Sequence, residues 1–150
     1  MAFDSLKNLL DLNKIEFREN ESMSGHTSFK IGGKADLFVL PSSENELCLV
    51  LNCVKKENIP FFILGNGSNL LVSDKGIEGA VISIAKMNKI ELLGEDEIYA
   101  EAGTSLAAIC HFCKEKCAFR LRVCLRYSGI GRRRALYECG SLRRRNGKCN

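Results

Sequence analysis

No stretch of this chain is apolar for long enough to cross a bilayer, and no basic-then-apolar leader opens at Met1. These two absences argue against a membrane span and against export, so the expected compartment is the cytoplasm. Two familiar phosphate signatures are also incomplete. No Gly-Lys-Ser/Thr follows the glycines around Asn66, which excludes a Walker loop, and Leu70 stands where G-x-G-x-x-G requires its third glycine. The eight cysteines include no second ligand pair at zinc spacing, so no metal site is expected. Cys110, Cys113 and Cys117 suit one helix face and Cys48 and Cys53 sit on or beside another, the pattern of buried free thiols acting as small hydrophobes.

What the chain does have is Ile63-Leu64-Gly65-Asn66-Gly67-Ser68-Asn69-Leu70-Leu71-Val72, read as apolar strand, small-residue loop and second apolar strand. Glycines on either side of Asn66 allow positive φ and close approach of a ligand to the main chain. Successive N–H groups in such a turn converge into a concave anion site. Ser68 and Asn69 bring short side chains that reach phosphate oxygens or satisfy the loop itself. On these ten residues alone, a diphosphate cradle and an ordinary strand–turn–strand connection fit equally.

The length of 150 residues suits one ordinary domain, and 45% hydrophobic content suffices for a core. The net charge of +4 averages two unlike pieces. Residues 1–117 hold 12 Lys/Arg against 17 Asp/Glu, a net of −5, whereas residues 118–150 hold 10 against 1, a net of +9. Composition breaks at about Cys117.

Phe3, Leu6, Leu9 and Leu10 recur at helical spacing and predict a short N-terminal helix. His26 to Gly33 is polar and glycine-bearing, and 35–40 reads as a strand closed by Pro41. Ser43 and Glu46 form an S-x-x-E capping box, followed by Leu47, Val50, Leu51 and Val54 on the core stripe of a helix ending near Asn58. With 59–64 again a strand, the order is βαβ, which places Gly65 at the carboxyl end of a parallel strand, where open α/β sheets bind ligands. Short strands follow at 70–72, 80–84, 89–92 and 97–101, then a helix N-capped by Thr104 whose face carries Leu106, Ile109, Cys110, Cys113 and Cys117. The fold class is α+β in two small lobes, with the glycine loop at their junction.

His26-Thr27-Ser28-Phe29-Lys30-Ile31-Gly32-Gly33, then Ala35-Asp36, then 63–72, then Glu101-Ala102-Gly103 resemble the UDP-N-acetylenolpyruvoylglucosamine reductase family of flavoproteins, over roughly residues 5–117. The resemblance implies the FAD-binding region of the vanillyl-alcohol-oxidase (PCMH) type, two α+β subdomains clasping FAD, with the second incomplete here. It divides the chain into a helical lead-in at 1–24, a partial FAD-binding domain at 25–117 and a basic tail at 118–150. Gly65, Asn66, Gly67, Ser68, Asn69 and Leu70 match the family loop around the flavin diphosphate, and Gly103 matches a second glycine near the flavin. The implied reaction is a hydride relay from NADPH through FAD to the enolpyruvyl double bond of a UDP-sugar, in peptidoglycan synthesis.

The pattern stops after Cys117. Where the family continues with G-I-P-G and N-A-G-A-Y-G, this chain reads Arg132-Arg133-Arg134 and Arg143-Arg144-Arg145, with no helical or strand period. Permitted codons from Ala118 onward, with one base removed, spell both missing motifs in order. The tail therefore reads as an out-of-frame continuation. The family's proton-donating serine, supporting glutamate and substrate-facing arginine have no counterpart, and Ser128, Ser141 and Glu138 are not assigned those roles. No catalytic residue is expected, and the chain as written is expected to be inactive.

Two other readings remain. The excess positive charge of the tail fits sequence-blind nucleic-acid binding, though no reading motif accompanies it. An FAD-linked sugar or lactone oxidase shares the fold but diverges over 26–36. Near the loop, His26 is expected to cap the turn, Lys30 and Lys34 either to meet phosphate or to be simply exposed, and His111 to be solvated.

Overall fold

The structure, a computed structural model, describes residues 2–93, 97–115, 122–125 and 135–138, the last two segments by their backbone. Its first half is a four-stranded sheet in the order β1-β2-β4-β3, built from β1 (Glu16–Ser22), β2 (Lys34–Leu40), β3 (Phe61–Leu64) and β4 (Ile77–Ser83). Helices α1 (Ala2–Leu12) and α2 (Glu44–Lys56) precede β1 and β3 respectively. β2 and β3 both run parallel to β4, and β1 is antiparallel to β2. The βαβ expectation holds in direction, but β4 enters between the two strands that α2 connects.

The alternation of side chains along each strand explains why the middle strands are apolar throughout. Leu37 and Val39 of β2, with Ala80 and Ile82 of β4, join Leu6, Leu10, Leu47, Val50, Leu51 and Val54 from the helices. Phe38 and Val81 point the other way, to Leu64 at the end of β3 and to Met23 and Val72 from irregular segments. Both faces are therefore buried, one under helices and one under irregular chain. Each fully buried Leu, Val or Phe stabilises by about 1.5–3 kcal/mol relative to exposure.

Helix α2 begins as its capping residues predict. The Glu46 N–H donates to Ser43 Oγ at 3.3 Å, while the Glu46 carboxylate reaches one residue further back, accepting from the Ser42 N–H at 2.8 Å and the Ser42 hydroxyl. It ends at Glu57, whose N–H donates to Cys53 O at 2.9 Å, followed by Asn58 in the left-handed region at φ 51.

Three expectations change. Residues 70–72 are not a strand. Leu70 is half-buried, Leu71 71% exposed and Val72 buried, which is strand-like alternation, but both edges of β4 are already taken by β2 and β3. The segment instead runs beside Gly33, whose N–H donates to Ser73 O at 2.9 Å. Residues 1–24 contain β1 as well as the helix, and both pack into the first sheet. The sequence Glu16–Ser22 concealed that strand because only Phe17 interrupts its polar residues; charge of this kind suits an edge.

The third change concerns the second sheet, ordered β5-β6-β7-β8 from β5 (Ile90–Leu92), β6 (Glu97–Ala100), β7 (Arg122–Leu125) and β8 (Ala135–Glu138), with α3 (Leu106–Glu115). Helix α3 is capped by Ser105, whose Oγ accepts from the Ala108 N–H at 3.2 Å, and not by Thr104, whose hydroxyl turns to Lys89 O. The expected apolar face is narrow. Ile109 is buried and Cys113 half-buried, but Cys110 is exposed and Leu106 is 73% exposed; Cys117 lies outside the described residues. Cys48 and Cys53 are likewise half-buried, so none of the four described thiols is fully interior. Burial pushes the Cys53 thiol up from its ordinary value. Cys124, Cys139 and Cys149 lie among residues whose side chains are not described.

Candidate functional site

The glycine loop leaves the carboxyl end of β3, as the parallel strand direction requires. It is anchored at both ends in the loop-side core, by Leu64 before it and by Leu70 and Val72 after it. Between the anchors, Gly65, Asn66, Ser68 and Asn69 are exposed and Gly67 is buried. Gly67 has φ +61, and a Cβ placed on it would collide with the His26 carbonyl oxygen. Its own carbonyl accepts the Ser28 N–H at 3.1 Å. The positive φ read from the sequence is present at Gly67, and the protein's own packing, not only ligand approach, requires a glycine there.

Gly65 is the opposite case. A Cβ built there meets nothing within 4 Å. Among the described residues, the N–H groups of Gly65, Asn66, Ser68 and Asn69 donate no main-chain hydrogen bond. The loop therefore offers open backbone donors to solvent or to an anion, on a support fixed from beneath by Gly67. That combination fits a diphosphate: a fully charged ligand needs hydrogen-bond donors already in place when it leaves water. Leu70, the sixth matched position, points instead to the core and serves as an anchor.

Gly103 is joined to this end of the sheet through one residue. The Ile84 N–H donates to Leu64 O at 3.0 Å, immediately before Gly65. A Cβ on Gly103 would collide with Ile84 O, and the Gly103 N–H donates to Met87 O at 2.8 Å. The structure thus brings Gly103 and the start of the 65–69 loop to either side of Ile84. The close backbone contact explains the glycine at 103.

The segment beneath the loop, polar and glycine-bearing in sequence, also carries part of the family resemblance. It contains a 3-10 turn at Met23–His26 and the buried Thr27, whose hydroxyl donates to Ile31 O at 3.1 Å. The His26 side chain does not cap the turn. Its ring stacks on Phe38 with centroids 4.2 Å apart, and its Nε2 lies 2.9 Å from a Glu21 carboxylate oxygen. Arg18 binds the same Glu21 oxygen at 3.0 Å. The hydrogen bond with His26, and then Arg18, hold the Glu21 carboxyl below its ordinary value of 4.5. No local motif joins Glu21, His26 and Phe38; β1 pairing with β2 brings them together.

Lys30 and Lys34 are exposed and make no ion pair among the described residues. His111 is exposed as expected, 3.5 Å from Glu115 on the next turn of α3. No described helix is long and apolar enough to cross a membrane.

Comparison with known proteins now decides the family, because the FAD binding domain family matches residues 35–130, almost two thirds of the chain. The chain belongs to the FAD binding domain family. It is similar to the UDP-N-acetylenolpyruvoylglucosamine reductases of Clostridium kluyveri, 45% identical over 112 residues, and Clostridium novyi, 49% identical over 98 residues. Those matches take in 75% and 65% of this chain but 36% and 32% of the relatives, so the chain spans about a third of their length. In fold, a berberine bridge enzyme variant superposes with a TM-score of 0.59 at 17% identity, over 75% of this chain and 26% of that one. The α+β architecture of this FAD-binding type is therefore present.

Proposed function

We propose that this chain is the FAD-binding portion of a UDP-N-acetylenolpyruvoylglucosamine reductase, with its reading frame displaced after Cys117. The observation that carries the reading is the loop at Gly65–Asn69, with exposed, unbonded amides held on a buried Gly67 at the carboxyl end of a parallel strand. Gly65, Asn66, Ser68 and Asn69 hold the FAD diphosphate through their main chain. Gly67 and Leu70 fix the loop, and Gly103 keeps the neighbouring turn close enough to complete the wall. Similarity to reductases of that name at 45% and 49% identity supports the family assignment.

In the full-length enzyme, bound FAD supplies the hydride relay between NADPH and the enolpyruvyl double bond of the UDP-sugar. The product serves peptidoglycan synthesis in the cytoplasm. This chain's contribution is to bind and orient the nucleotide. The proton donor and the substrate-facing groups belong to the missing continuation, so the 150-residue product is inactive alone. Its partners are the small molecules FAD, NADPH and UDP-sugar, with neither a specific nucleic acid nor a membrane. Its basic tail is an accident of frame.

The test is to restore the frame at the Cys117 codon and assay the purified protein. The expected result is yellow protein that oxidises NADPH only when UDP-N-acetylenolpyruvoylglucosamine is present. A colourless product that ignores added FAD refutes the assignment.

A further inference from the structure

We infer that His26 is a positioning residue for the nucleotide loop, acting through its own main chain and not by touching the ligand; this rests on the diphosphate reading of residues 65–69. The loop's one buried residue, Gly67, is seated directly against the His26 carbonyl, and its carbonyl is held by the Ser28 N–H at 3.1 Å. Wherever residues 26–28 go, Gly67 and the four exposed amides beside it must follow.

Residues 26–28 have little regular structure of their own to hold them. The 3-10 turn at Met23–His26 has no side-chain cap at Ser22, and the next fixed strand begins at Lys34. Thr27 is buried and tied to Ile31, which shapes the turn but does not attach it to the sheet. Met23 buries the start of the turn in the loop-side core, and the His26 ring attaches its far end, next to the Gly67 contact. Its face lies on Phe38, fully buried in the centre of β2, at 4.2 Å and an interplanar angle of 26°. Its edge is bonded to Glu21 of β1, which Arg18 holds in turn. One side chain thus registers the turn against two adjacent strands at once. A ring stack of this kind contributes beyond simple burial, and the bond to a charged partner is directional.

A precisely held backbone matters because anion affinity depends on several donors converging together, and displacement of the support loosens all of them. Removing the ring should therefore weaken nucleotide binding with the sheet intact. Two readouts separate this role from general stability. Exchange of the Ser28 amide proton reports the 28–67 bond alone, and β4 amides report the core. FAD titration then reports the consequence.

In the 150-residue chain, His26→Ala should speed exchange at Ser28 while β4 amides such as Val81 stay protected. In the frame-restored protein, the same change should weaken FAD binding about tenfold, with His26→Gln recovering part of the loss through Glu21. Should His26→Ala fail to fold, His26→Gln and His26→Phe give the same two measurements, each retaining one attachment. Parental Ser28 exchange and parental FAD affinity in these variants, with FAD lost in Gly65→Asp, overturns the His26 role and leaves the loop standing. Parental FAD affinity in Gly65→Asp overturns both.

Discussion

Among the described residues, the two sheets bury unequal apolar cores. The first has two buried faces, one closed by α1 and α2 and the other by the chain around Met23, Leu64 and Val72. The described part of the second buries Ile98, Ala100 and Ile109, while Leu92, Leu93 and Leu106 stay exposed at 43%, 61% and 73%. A lobe needs apolar side chains from several elements to offset its chain entropy. The first sheet collects its buried side chains from residues 6–87, inside the segment that resembles the reductases. The second sheet draws half its strands from beyond residue 117, where the sequence has become Arg-rich. The contrast teaches that the well-packed core lies within the part of the chain that resembles the reductases.

That contrast is sharpest in paired truncations. Phe38→Ala, in the first sheet, should cost about 3–5 kcal/mol, whereas Leu106→Ala, on the second lobe's surface, should stay within about 0.5 kcal/mol. Urea unfolding of both variants checks this, and equal costs would erase the distinction between the lobes. Next in size, Gly67→Ala should destabilise the first lobe by about 1–3 kcal/mol, through a forced positive φ and collision with His26, while Gly65→Ala leaves the midpoint unchanged. Thermal melts decide between them, and similar losses at both glycines contradict the open-versus-seated assignment. A smaller effect is expected at the start of α2. Ser43→Ala should cost about 1 kcal/mol, visible as a lower urea midpoint with unchanged slope.

The smallest expected effect is in the acid limb of stability. Glu21 has its carboxyl lowered in the folded protein, by His26 first and then Arg18. A lowered carboxyl stabilises the fold above its ordinary value of 4.5, and that contribution disappears as pH falls through the folded value. Glu21→Gln should therefore flatten stability against pH below 4.5 and change its pH dependence little near neutrality. An acid limb identical to the parent's would remove Glu21 from the account of how β1 and the 23–28 turn are joined.

Much of this architecture was legible because it is locally written. The 3.6-residue spacing of Leu47, Val50, Leu51 and Val54 and the Ser43 cap specify α2 without help from distant residues. The loop at 65–69 was equally plain from its glycines. What the loop's two glycines do was not, because the difference between Gly65 and Gly67 lies in a contact with His26, forty-one positions away in the chain. For the same reason β1 went unseen, being a polar strand whose pairing with β2 alone makes it a strand. Residues 70–72 erred in the other direction. Their alternating burial is genuine, but a ladder also needs a free edge, and β4 has none to give.

The most direct test is FAD titration of the frame-restored protein beside its Gly65→Asp variant. Position 65 has room for the new side chain, so folding should be unaffected and the melting midpoint unchanged. A carboxylate set among the loop amides should weaken FAD at least about 100-fold, because it competes for their hydrogen bonds and repels the phosphates. Undiminished FAD affinity at an unchanged midpoint would contradict the claim that these amides hold the nucleotide.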